Sequence, residues 1–106
     1  MAFDPELADR VRGVLAGVDS VMEKKMFGGL TFMLGGKICC GIVGDRLMVR
    51  VGPDAYYDAL AEPFVAAMDF TGRPMKGMVY VDEEGLRQDD SLAGWVGRGV
   101  EFASSL

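Results

Sequence analysis

Apolar residues recur first at helical spacing. Asp4-Pro5-Glu6 supplies a capping side chain, a proline that needs no donor and an early carboxylate. Leu7, Val11, Val14, Leu15 and Val18 then share one stripe, which predicts a helix ending near Gly17. The period changes to two further along. Leu30, Phe32 and Leu34 alternate with polar or smaller positions, as do Ile38, Cys40 and Ile42, and then Leu47, Val49 and Val51. Gly35-Gly36 and Gly44-Asp45 separate these runs, and glycine supplies the positive φ of two-residue hairpin turns, so a three-stranded meander is expected. Arg46, Met48 and Arg50 occupy its opposite face. Lys24 to Phe27 extends the first strand in this reading, with Gly28-Gly29 forming a bulge or bend.

Gly52-Pro53-Asp54 breaks the third strand and opens a short helix through Ala55, Tyr56, Ala59 and Leu60, which Glu62-Pro63 ends. Phe64 to Ala67 is expected as loop, Met68-Asp69-Phe70 as a short strand, Thr71-Gly72-Arg73-Pro74 as a turn and Met78 to Val81 as the fifth strand. After the acidic turn Asp82-Glu83-Glu84-Gly85, a last helix starts near Asp89 to Ser91 and turns Leu92, Trp95, Val96, Val100 and Ala103 inward. Gly94, Gly97 and Gly99 each weaken this helix by about 1 kcal/mol relative to alanine, so tertiary packing must hold it. The predicted order is helix, three strands, helix, two strands, helix: an α+β two-layer sandwich with an antiparallel five-stranded sheet and helices on one face. The 106 residues carry neither repeat nor linker and read as a single domain, 1–106.

Composition narrows the chemistry. Without a histidine, His-based acid/base pairs, Ser-His-Asp triads and His-containing zinc sites are excluded. Cys39 and Cys40 are adjacent; alternation on a strand would point them to opposite faces, unable to share a metal. They are expected to be reduced thiols of a cytoplasmic protein, at least one of them packed as a small apolar group. No metal and no cofactor is expected. No apolar run reaches the roughly 20 residues a membrane helix needs, and no membrane association is expected. Asp69, flanked by Met68 and Phe70, is expected to face solvent or to pair with Arg46 or Arg50. Acid/base catalysis needs a carboxylate or lysine whose pKa is shifted by burial or neighbours, and the acidic residues fall mostly in expected turns and on helix faces, so the chain reads as non-catalytic.

Charge is uneven. Residues 1–53 hold seven basic and six acidic side chains, whereas residues 54–106 hold four and ten, giving −5 overall. That balance opposes general nucleic-acid binding, although Lys24, Lys25, Arg73 and Lys76 would form a basic patch if the fold joined them; otherwise they are solvated surface charges. Gly28, Gly29, Gly72 and Gly77 with those cations also suggest a phosphate or small-molecule site. Yet there is no G-x-x-x-x-G-K-[ST] motif, and Gly28-Gly29 leads into a strand where a helix N-terminus would be needed. Seven of the eight methionines, Met22, Met26, Met33, Met48, Met68, Met75 and Met78, lie in or beside the sheet segments. Most are expected to fill the core, with Met33 and Met48 forming an exposed patch suited to self-association or a protein partner.

Met26-Phe27-Gly28-Gly29, Gly36-Lys37, Asp45-Arg46-Leu47-Met48-Val49-Arg50, Gly72-Arg73-Pro74-Met75-Lys76-Gly77 and Trp95 together resemble the TfoX N-terminal domain family over residues 5–104. The resemblance implies an α+β fold with an antiparallel sheet. The family takes its name from regulators of natural competence in which this domain precedes a C-terminal one, and this chain is expected to be a stand-alone domain. It implies no catalytic residues. Its matching positions, Met26, Phe27, Gly28, Gly29, Gly72, Arg73, Pro74, Met75, Lys76 and Gly77, become candidates for a shared binding surface, to which the basic-patch reading adds Lys24 and Lys25.

Overall fold

A computed structural model describes residues 3–70 and 72–106, with the side chains of Phe70, Arg73 and Pro74 outside that description. Helix α1 spans Pro5–Leu15 and begins where predicted, because the Asp4 carboxylate accepts the Glu6 N–H at 2.9 Å. Strands β1 (Val21–Met26), β2 (Gly29–Leu34), β3 (Lys37–Val43) and β4 (Arg46–Arg50) follow, then helix α2 (Tyr56–Leu60). Strands β5 (Val65–Phe70) and β6 (Arg73–Val81), a 3₁₀ turn at Glu83–Leu86 and helix α3 (Asp89–Ser104) complete the order. The strands form one antiparallel sheet in the order β1-β2-β3-β4-β6-β5.

The sheet therefore has six strands, not the expected five. Val21–Met26 is a strand of its own, returned onto β2 by a turn in which Phe27 (φ 57°) and Gly28 (φ 73°) both take positive φ. Gly28-Gly29 is thus no bulge on a continuous strand: Gly28 completes the turn, and Gly29 opens β2 opposite Met26. Two further boundaries move. β5 already starts at Val65, inside the expected loop, and β6 starts at Arg73, inside the expected turn, of which Thr71 lies outside the described residues.

All three helices cover one face. Leu7, Val11 and Leu15 of α1, Tyr56 and Ala59 of α2, and Leu92, Trp95, Val96 and Ala103 of α3 join Leu30, Phe32, Ile42, Leu47, Val49, Val79 and Val81 in one core. Among the described residues, no helix is long and apolar enough to cross a membrane. Arg12 ties α1 to the sheet, contacting Asp9 at 2.9 Å and Glu23 at 2.7 Å; its guanidinium holds the Glu23 carboxyl below the usual range. Asp69 is exposed, and the two arginines expected to meet it lie over aromatic rings instead.

The opposite face closes over itself. Met48, Met68, Met78 and Tyr80 are buried there, with Phe27, Ile38, Val43 and Met75 packed around them. Met48 is fully buried, which overturns the expected exposed patch, while Met33 is half-buried. The register gives the reason. Met48 lies opposite Gly41, whose missing side chain makes room: a Cβ there would come within 3.1 Å of the Met48 methyl. Next to it, the Arg46 guanidinium lies 3.8 Å above the Tyr80 ring and shields it from water.

Register also corrects the cysteines. Phe32 pairs with Cys40 and Met33 with Ile38, so Cys39 is the extra residue of a bulge in β3. The bulge suspends strict alternation, and both thiols enter the helix-side core, at 1% and 0% exposure.

Candidate functional site

The most irregular part of the sheet lies within the Gly72 to Gly77 stretch. Ala67 pairs with Val79 and Asp69 with Pro74, so Met68 alone faces the four residues Met75, Lys76, Gly77 and Met78. Such a wide bulge can form because Gly77 takes φ 94° and its carbonyl accepts both the Val51 N–H (2.8 Å) and the Gly52 N–H (3.0 Å). A Cβ on Gly77 would stand 3.2 Å from the Gly52 carbonyl carbon, so any side chain would push apart the loop that the bulge is stitched to.

This bulge, Met75 to Met78, forms one wall of an open groove of about 320 Å³, and Ile38, Arg50, Gly52, Pro53 and Phe102 line the rest. The Arg50 guanidinium lies 5.4 Å from the Phe102 ring centre, and the Lys76 ammonium 5.8 Å from that of Tyr57. Neither cation forms an ion pair with a carboxylate among the described residues, whereas Arg10, Arg12 and Arg98 each do. Among the described residues, no carboxylate or thiol lines the groove. Its chemistry is fixed positive charge beside thioether, phenyl and aliphatic walls.

The residues singled out from sequence are divided among several places. Lys24 and Lys25 are exposed neighbours on β1 and leave it on opposite faces. β1 and β6 are separated by β2, β3 and β4, about 19 Å along the sheet at ordinary strand spacing. Arg73 and Pro74 lie on β6, and the cation beside Lys76 at the groove is Arg50. Phe27 and Met75 do converge, both packing on the methionine cluster, and Met26 is half-buried at the end of β1. Arg50, Ile38 and Phe102 were not among the candidates. The usable signal for Arg50 was its place in the alternation, on the face away from the main core and two residues before Gly52-Pro53.

Titratable groups with displaced pKa values lie away from this groove. The two neighbouring thiols interact with each other, and that interaction together with burial pushes Cys40 well up in its pKa, while the same interaction lowers Cys39. Both thiols lie in the helix-side core, and the Cys39 sulfur would lie 3.3 Å from a Cβ on Gly99 of α3. The native protein is therefore expected to react with a thiol-titrating reagent only as it opens, and to yield two equivalents at once in denaturant. Rapid modification of one thiol in the folded state would contradict this burial.

The TfoX N-terminal domain family model matches residues 14–103, a span that includes the β1–β2 hairpin, the β6 bulge and most of α3. No curated protein matches the chain. With that match running over most of its length and through both glycine-bearing stretches, the chain belongs to the TfoX N-terminal domain family.

Proposed function

We propose that this domain is a non-catalytic regulatory interaction module whose groove beside the β6 bulge holds a partner-protein segment carrying a carboxylate next to a bulky apolar side chain. The observation that carries this reading is the pair Arg50 and Lys76: two cations without carboxylate partners among the described residues, at the rim of an apolar groove, in a chain of net charge −5. An acidic protein gains nothing in solubility from leaving two cations clustered and unpaired, whereas an anionic ligand gains both steering and a partner there. Met75 and Met78 adapt their shape to an apolar side chain, and Phe102 offers a flat face. A non-catalytic role is supported by the groove's lining, where, among the described residues, no carboxylate, thiol or hydroxyl stands beside the Lys76 amine to work with it in acid/base or nucleophilic chemistry.

Selection of displayed peptides against the folded domain tests this. Sequences pairing Asp or Glu with an aromatic or large aliphatic residue are expected to be enriched, and to shift the amide resonances of Arg50, Lys76 and Met78. Arg50→Glu with Lys76→Glu should weaken those peptides by about 100-fold, because two attractive contacts become repulsive. Added salt should weaken the wild-type complex as well. Peptides that bind the double variant as tightly as the wild type would overturn the reading. Retention of duplex DNA at low salt, lost in the same variant, would replace it with a nucleic-acid one.

A further inference from the structure

Strand β1 is the regular edge of the sheet. Its six residues pair with β2 without interruption from Val21↔Leu34 to Met26↔Gly29, whereas β5 at the other edge is broken by the bulge opposite Met68. In a two-residue hairpin the residues flanking the turn exchange hydrogen bonds, so Met26, Lys24 and Met22 direct their backbone groups toward β2. The bond from Gly35 N–H to Ser20 O, 3.1 Å, continues the same parity. Val21, Glu23 and Lys25 consequently present their N–H and C=O groups to the open edge. Residues 22–25 are all exposed, Met22 at 69%.

We propose that β1 pairs antiparallel with β1 of a second copy of this chain, in the register that sets Lys24 opposite its own symmetry mate. Edge parity allows only registers in which Val21, Glu23 and Lys25 bond to one another across the two-fold axis. Centring on Glu23 would set two carboxylates face to face. Centring on Lys24 sets Glu23 opposite Lys25 twice, on the helix side, and Met22 opposite Met26 twice, on the methionine side. Charge complementarity thus selects this one register, at the cost of one Lys24 pair whose long side chains diverge into solvent. Charged edge residues usually deter pairing. Here the same charges deter every partner strand that lacks the complementary pattern. Arg12 stays on Glu23 and adds a second cation to each cross-strand pair. The contact is one strand wide, so the dimer is reversible and concentration-dependent.

Sedimentation velocity across a micromolar-to-millimolar series reads the association, with thermal unfolding at low concentration as the check on folding. Lys25→Glu sets Glu23 against Glu twice and should weaken dimerisation about tenfold, as should Glu23→Lys. An equal mixture of the two variants restores both pairs and should dimerise more strongly than either alone. Register is read by cross-linking. Two Lys24→Cys chains would bring their Cα atoms to about 4.5 Å and form an interchain disulfide readily. Met22→Cys, also exposed but opposite Met26, should do so far more slowly. A wild-type chain that stays monomeric throughout, a Lys25→Glu variant that dimerises like the wild type, or equal cross-linking at both positions would each overturn the proposal.

Discussion

Gly29→Ala is expected to destabilise the domain by about 3 kcal/mol or more, a fall in midpoint of roughly 12–24 °C for a chain of this size. A Cβ at this position would lie 2.0 Å from the carbonyl oxygen of Ile42 and 3.0 Å from its carbonyl carbon. Those are backbone atoms of a central strand, held by β2 on one side and β4 on the other, and they cannot swing aside as a side-chain end would. Gly28→Ala gives the necessary contrast. Its Cβ would meet nothing within 4 Å, so the penalty is only that of a side chain at φ 73°, about 1–2 kcal/mol. Thermal unfolding of the two variants side by side separates turn conformation from strand approach. Equal losses would show that the turn alone constrains the pair.

The same two glycines explain how far the fold could be read from sequence. Strands β2, β3 and β4 were legible because each has one face on the main core, and Gly35-Gly36 and Gly44-Asp45 mark their turns. β1 was not, because an edge strand with residues 22–25 exposed shows no apolar alternation. Its turn places Phe27 at φ 57°, a position where sequence reasoning looks for Asn, Asp or Gly. The start of β6 was hidden for a different reason: Pro74 and Gly77 are turn residues by propensity, and here they serve a strand beside a bulge. The cysteine orientation failed through register, since one extra residue in β3 undoes the alternation and no local pattern announces it. The groove combined both cases. Met75, Lys76 and Gly77 stood out as a motif, but Arg50 and Phe102 reach it only through the β4–β6 pairing and the docking of α3. Contacts of that kind are set by the whole sheet.

Helix α3 offers the second large effect, because one substitution should act with opposite signs along it. Gly94→Ala and Gly97→Ala each place a methyl where nothing lies within 4 Å, so each should stabilise the domain by about 0.5–1 kcal/mol through helix propensity and a less flexible unfolded chain. Gly99→Ala should cost about 2–3 kcal/mol despite the same gain. Its Cβ would fall 2.5 Å from the Cys39 carbonyl oxygen, 3.2 Å from the carbonyl carbon and 3.3 Å from the sulfur. Gly99 is the point where α3 rests on the bulge of β3, and a side chain there lifts the helix off the sheet. Urea unfolding of the three variants reads the signs directly. Adding Cys39→Ala to Gly99→Ala then locates the clash: the sulfur is gone but the carbonyl remains, so most of the loss should persist. Recovery in that double variant would transfer the constraint from the backbone to the thiol, and the close seat of α3 on β3 would then depend on the size of the Cys39 side chain.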